Sequence, residues 1–177
     1  MENESGSIRI LGLDPGTAIL GWGIIEKGEG GKIVPKKYGC IRTAANAPLP
    51  ERLFHIYSSL CDIIEKEKPD RLAIEELFFF KNQKTVMSVA QARGVAIACG
   101  MKSGLSVFEY TPLQVKQALT GYGRADKAQM QEMVRITCKL KACPKPDDAA
   151  DALAIAITHA QSIGMEITNN QDTRYSK

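Results

Sequence analysis

The stretch Ile8-Arg9-Ile10-Leu11-Gly12-Leu13-Asp14-Pro15-Gly16-Thr17 decides how this chain is read. Ile8, Ile10, Leu11 and Leu13 form a short, nearly continuous apolar run bounded by Pro-Gly, the pattern of a buried central strand rather than of a helix. Asp14 stands at its carboxyl end. Asp, Pro and Gly all suit a tight turn, so on this stretch alone Asp14 need do no more than begin one. The carboxyl edge of an open α/β sheet is also where ligands bind, and an acid placed there can meet groups arriving from neighbouring strands and helices.

Outward from this strand, Leu20 to Ile25 reads as a second strand, Gly28 to Gly31 as a loose hairpin loop and Val34 to Ile41 as a third strand, so the chain opens on an antiparallel meander. From Leu49 the period changes. Leu53, Ile56, Tyr57, Leu60, Ile63 and Ile64 recur at three and four, marking an amphipathic helix that ends before Pro69. Asp70 to Glu75 is a strand reached by a helical crossover, hence parallel to the first, and its end carries Glu75. A long helical pattern then runs from Thr85 to about Met101, with small residues that permit close packing against another helix or a second subunit. Leu105 to Tyr110 is a fifth strand. Thr111-Pro112 opens a helix by the N-cap and Pro-at-N1 pattern, and Gly121-Tyr122-Gly123 breaks it. Helices from about Asp126 to Leu140 and from Asp147 to about Ser162 complete the chain. The expected fold is α/β, with a mixed five-stranded sheet flanked by helices. Residues 1–7 are expected to be a disordered extension, 8–163 the folded domain and 164–177 a disordered tail.

Composition narrows the class. With 177 residues and 44% hydrophobic content, one domain can bury roughly 70% of its extended surface. The acidic, polar start resembles neither a secretory signal nor a transit peptide, and no apolar stretch approaches bilayer length; a soluble, cytoplasmic protein with no membrane partner is expected. The cysteines Cys40, Cys61, Cys99, Cys138 and Cys143 include no Cys-x-x-Cys pair and only two histidines accompany them, which argues against zinc and for free thiols in a reducing compartment. The net charge of +3 neither demands nor excludes nucleic acid. Local density says more: Lys81, Lys84, Arg93, Lys116, Arg124 and Lys127 fall in the middle of the chain near turns or helix starts, although solvated helix faces carry such charges too.

The last helix begins Asp147-Asp148-Ala149-Ala150-Asp151-Ala152. Asp148 and Asp151 are three apart, hence within about 6 Å on one face, and that face continues through Ala152 and Ile155 toward the sheet. Acids in a first helical turn complement the macrodipole, which accounts for Asp147 or Asp148. Asp151 needs another reason, because a carboxylate pointing with alanines and isoleucines toward a core is costly unless paired or bound to a cation. No Lys or Arg lies in helical register with it, whereas Asp14 and Glu75 are expected at adjacent strand ends. Converging carboxylates repel, and a divalent cation relieves the repulsion. Ligands that are all oxygen point to magnesium or manganese, and two such ions about 3.5–4 Å apart can activate water and stabilise the leaving oxygen of a phosphodiester. His159 lies about 12 Å further along the helix and is no ligand of the same ion.

The stretches Leu11-Gly12-Leu13-Asp14-Pro15-Gly16, Ala73-Ile74-Glu75, Gln91-Ala92-Arg93-Gly94-Val95-Ala96, Val115-Lys116-Gln117, Gly121-Tyr122-Gly123-Arg124-Ala125-Asp126-Lys127 and Asp148-Ala149-Ala150-Asp151-Ala152-Leu153-Ala154 resemble, in order and spacing, the RuvC family of crossover junction endodeoxyribonucleases. The resemblance spans roughly residues 8 to 160, and blocks in register are more specific than any single motif. It implies a ribonuclease H-like fold and a homodimer. The implied activity is magnesium-dependent, symmetric nicking of two opposing strands of four-way (Holliday) junction DNA in recombination and repair. The nicks would leave 5′-phosphate and 3′-hydroxyl ends. It further implies up to two ions per subunit, and a branch-migration complex of a junction-holding subunit and an ATPase motor as partner.

Carried over residue by residue, Asp14, Glu75, Asp148 and Asp151 match the family's acidic catalytic and metal-binding positions, with Asp147 an extra acid beside them. Lys116 and Lys127 match its basic active-site positions, suited to gripping the scissile phosphate. Phe78 matches an aromatic that contacts bases at the opened junction, where stacking is worth about 1–3 kcal/mol per base. Lys81, Asn82 and Lys84 would supply DNA contacts nearby, as would Arg93 and Arg124, although Arg93 on its long helix also suits a structural role. An actin-like or sugar-kinase ATPase shares the Leu13-Asp14-Pro15-Gly16-Thr17 pattern but needs two such domains. A ribonuclease H-like enzyme acting on RNA would share Asp14 without the whole set of blocks, and a non-catalytic junction binder would keep the acids for structure alone.

Overall fold

The computed structural model describes residues 6–77 and 83–172, with side chains described for 6–77 and 86–163. Five strands, β1 (Ile8–Asp14), β2 (Ile19–Lys27), β3 (Ile33–Arg42), β4 (Arg71–Glu75) and β5 (Ser106–Tyr110), form one sheet in the order β3-β2-β1-β4-β5. The meander is antiparallel, and β4 and β5 run parallel to β1, as expected of strands reached through helices. The connecting helices are α1 (Leu49–Glu67), α2 (Gln83–Lys102), α3 (Pro112–Thr120), α4 (Lys127–Thr137) and α5 (Asp147–Asp172).

Alternation along the strands divides the interior. Leu11 and Leu13 of β1, Leu20 and Ile24 of β2 and Leu72 and Ile74 of β4 pack with Ile56, Leu60, Ala92, Ala96 and Cys99 of α1 and α2. Ile10, Ile25 and Ala73 point the other way and pack with Val115, Leu119, Met130, Val134, Leu153 and Ile157 of α3, α4 and α5. Each such fully buried Leu or Ile contributes about 1.5–3 kcal/mol of transfer free energy. The same two-residue period puts Asp14 and Glu75 on the face that α5 covers, because each lies an even number of residues beyond Ile10 and Ala73 respectively.

α5 lies unusually close to this face. A Cβ on Gly12 would stand 2.1 Å from the Ala152 carbonyl oxygen, one on Gly21 would stand 2.0 Å from that of Asp148, and one on Gly23 would stand 2.8 Å from Leu153 Cδ2. Gly12 pairs with Gly23 and Asp14 with Gly21 across β1 and β2. A bare strip of backbone thus receives the alanine face of α5, and contact at this range sets the helix directly over the end of β1.

α5 continues to Asp172 rather than ending near Ser162. Gly164 costs only about 1 kcal/mol inside a helix, and no proline follows to stop it. Deeper in α5, His159 is 1% exposed and stacks on Phe108; its Nδ1 lies 2.7 Å from the Tyr110 hydroxyl. Burial lowers its pKa to about 4, with help from the charges of Arg71 and Lys27. It ties α5 to β5 as a neutral core residue, clear of the acids. The cysteines are free thiols, and among the described residues no helix is long and apolar enough to cross a membrane.

Candidate active site

Three separate parts of the chain bring carboxylates to the carboxyl edge of the central strands: Asp14 ends β1, Glu75 ends β4, and Asp148 and Asp151 occupy the first turns of α5. Burial pushes the Asp14 pKa from 3.8 to about 7, reinforced in turn by the negative charges of Glu75, Asp151 and Asp148. Glu75 is likewise pushed to about 7 by burial and by Asp151. Asp151 is raised, first by burial, with Lys127 pulling it back down and Asp148 and Asp147 adding to the rise. Asp14, Glu75 and Asp151 are thus each held above the ordinary carboxylate range, and Asp148 adds its charge against Asp14 and Asp151, a costly arrangement for the fold alone.

The lysines arrive on rigidly started helices. Thr111 caps α3 reciprocally with Gln114, its Oγ1 accepting the Gln114 N–H at 3.1 Å while Gln114 Oε1 accepts the Thr111 N–H at 2.8 Å. Asp126 and Gln129 do the same for α4 at 2.8 and 2.9 Å. These caps fix the helices that carry Lys116 and Lys127, and both lysines line a cavity of about 230 Å³ together with Glu75 and Asp151. Val115, Met130, Ala154 and Ile155 give it an apolar floor, which lowers the local dielectric and strengthens charge interactions inside.

Asp151 has a cationic neighbour that helical register does not reveal. Lys127 Nζ, from the first residue of α4, lies 3.3 Å from Asp151 Oδ2 and 3.5 Å from Asp147 Oδ2. Desolvation acts to lower the Lys127 pKa but is outweighed by the two carboxylates, which leave it raised. Asp147 also meets Lys145 at 2.9 Å, and these cations hold its carboxyl below the ordinary range, so it serves as a link between α4 and the start of α5.

Arg93 is drawn into the fold rather than toward solvent. Its Nε donates to the Glu75 carbonyl oxygen at 3.0 Å, its guanidinium pairs with Glu109, and its side chain is only 16% exposed. These contacts fit the structural role that its long helix allowed, a brace that ties α2 to the ends of β4 and β5. Arg124 is exposed in the turn before α4. Phe78, Lys81 and Asn82 lie outside the described residues, and Lys84 falls in the first turn of α2, its side chain outside them too. The features missed in the sequence are the glycines that seat α5; Gly21-Trp22-Gly23, two glycines on one face of a strand, was the signal that could have found them.

The donor set suits a hard divalent cation, being carboxylate oxygen throughout. Among the described residues no three such groups converge on one ion-sized point, so the acids face a common space without forming a closed cage, and Lys127 partly neutralises it. Mutual repulsion among partly buried acids is the property that a bound divalent ion would relieve.

The family description "Crossover junction endodeoxyribonuclease RuvC" matches residues 10–159. The protein of that name from Desulfitobacterium hafniense is 55% identical over 156 residues, covering 88% of this chain and 94% of the relative. Its namesake from Brevibacillus brevis is 53% identical, covering 87% of this chain and 92% of the relative. Among solved structures, Thermus thermophilus RuvC in complex with a Holliday junction substrate superposes with a TM-score of 0.85 at 34% identity, covering 90% of this chain and 96% of that one. The yeast mitochondrial Holliday junction resolvase, at 13% identity and a TM-score of 0.72, shares the fold, with 96% of this chain and 85% of that one covered. With the acids and lysines gathered at one sheet edge and the match running from β1 into α5, the chain belongs to the RuvC family of crossover junction endodeoxyribonucleases.

Proposed function

We propose that this protein resolves four-way DNA junctions by hydrolysing one phosphodiester in each of two opposing strands, leaving 5′-phosphate and 3′-hydroxyl ends that a ligase can join. The carrying observation is that β1, β4 and α5 bring Asp14, Glu75, Asp148 and Asp151 to one sheet edge beside a lysine-lined cavity. Nucleases of this family are metal-dependent; here magnesium, as up to two ions held by those four acids, would acidify the attacking water and stabilise the departing 3′-oxygen. Lys116 and Lys127 would hold the scissile phosphate and offset its growing negative charge. In DNA-bound protein the phosphate would compete with Asp151 for Lys127. Arg124, Lys81, Asn82 and Lys84 are proposed as backbone contacts, and Phe78 as a stacking platform for an unpaired base.

A two-fold homodimer would present two such sites at a fixed separation and match the symmetry of the junction. A branch-migration motor with its junction-holding subunit is the proposed partner assembly, and the cytoplasm the proposed location. The test incubates the protein with end-labelled four-way junction, linear duplex and single-stranded RNA, with and without magnesium, beside Asp151→Asn. Paired, ligatable nicks confined to the junction, and dependent on both metal and Asp151, are the expected result. Binding without cutting, or preferential cutting of RNA, would overturn the proposal.

A further inference from the structure

A second groove borders the same site. It measures about 400 Å³ and is lined by Gly16, Thr17, Arg52, Ser88 and Asp148, so it shares one acid with the catalytic group. Its wall is the turn between β1 and β2. That turn is tight: a Cβ on Gly16 would lie 2.2 Å from the Ile19 carbonyl oxygen. Thr17 follows, 6% exposed, and its Oγ1 is buried with no hydrogen-bond partner among the described residues. Buried hydroxyls are ordinarily satisfied, and an unsatisfied one beside a groove marks a place where a ligand can supply the bond.

Arg52, near the start of α1, is held against this turn by a relay. Its Nε donates to Thr43 Oγ1 at 2.8 Å, and Thr43 Oγ1 donates to the Thr17 carbonyl oxygen at 2.7 Å. The relay fixes the guanidinium through a neutral hydroxyl rather than through an acid. Among the described residues no carboxylate pairs with Arg52, whereas Arg9, Arg93 and Arg135 each have one. An oriented, half-buried guanidinium with unneutralised charge suits the planar, bidentate grip on a phosphodiester.

We propose that Arg52, aimed by Thr43 and assisted by Thr17, binds a DNA-backbone phosphate next to the scissile one, on the Asp148 side of the site. This inference rests on the nuclease reading and adds a grip on the strand opposite to that of Lys116 and Lys127. The strand would then be held on both sides of the reacting bond, which fixes its register without reading its sequence.

Two variants of the full chain, Arg52→Gln and Thr43→Val, test it. Four-way junction binding is measured in EDTA by fluorescence anisotropy between 50 and 200 mM salt, with thermal unfolding as the control for folding. For Arg52→Gln the slope of log affinity against log salt should flatten by about one, the signature of one lost phosphate contact, and affinity should fall about 5–10-fold. Thr43→Val keeps the charge but frees it, so affinity should fall about 3-fold with the slope nearly kept. An unchanged slope and affinity in folded Arg52→Gln would overturn the subsite. Wild-type protein that binds the junction but never cuts it with magnesium would sink the nuclease reading alone, since the slope comparison still decides the phosphate contact. Wild-type protein that does not bind DNA would sink both.

Discussion

Replacing Asp14 by asparagine should stabilise the metal-free protein while destroying its activity. In the folded chain the Asp14 pKa stands near 7 against an ordinary 3.8, and at about 1.4 kcal/mol per unit this is an upper bound near 4 kcal/mol. The folded form binds the proton more tightly than the unfolded form, so this stabilisation is fully present below pH 3.8 and is lost as the pH rises through about 7. At pH 8 in EDTA, Asp14→Asn, which cannot ionise, should exceed the wild type by about 2–4 kcal/mol, or about 5–15 °C in Tm. Near pH 4 the two should converge. Magnesium should raise the wild-type midpoint at pH 8 and leave the variant much less affected, because binding to the folded state alone stabilises it. Urea denaturation across pH 4–8, with and without metal, supplies the curves. Parallel wild-type and variant curves would mean that Asp14 carries no penalty for its charge in the fold.

Gly21→Ala should abolish cleavage and cost about 1–3 kcal/mol by overpacking: its Cβ would stand 2.0 Å from the Asp148 carbonyl oxygen, so α5 must shift and carry Asp148 and Asp151 with it. Gel cleavage and urea midpoints check this together. Arg93→Gln should leave junction affinity within about 2-fold, since its guanidinium is engaged by Glu75 and Glu109, and should raise the magnesium concentration for half-maximal cutting; a flattened salt slope would instead mark a DNA contact. Lys127→Ala should raise the Asp151 pKa further, because it removes the cation 3.3 Å away, and should slow cutting by about 10²-fold or more at saturating junction. Carboxyl-region NMR reads the first effect and single-turnover cleavage the second.

Strand and helix order and two of the site's faces were legible in local sequence pattern. Short apolar runs put Asp14 and Glu75 at strand ends, and a three-residue spacing put Asp148 and Asp151 on one side of α5, because apolar runs and the 3.6-residue period are local properties of the chain. Resemblance then joined these acids to Lys116 and Lys127 as one set. How near the elements come is set by packing between distant segments. Gly12, Gly21 and Gly23 seat α5 against bare strand backbone, and that distance depends on what two remote segments lack rather than on any period in either. Such packing likewise decides which cation meets Asp151, since Lys127 arrives on α4 from 24 positions earlier in the chain, beyond the reach of helical register. Arg93 shows the same limit: its place in the chain left a DNA contact and a structural role open, and the Glu75 carbonyl and Glu109 that engage it come from two other strands. Local pattern fixes which face a side chain takes, and packing between distant segments fixes what it meets there.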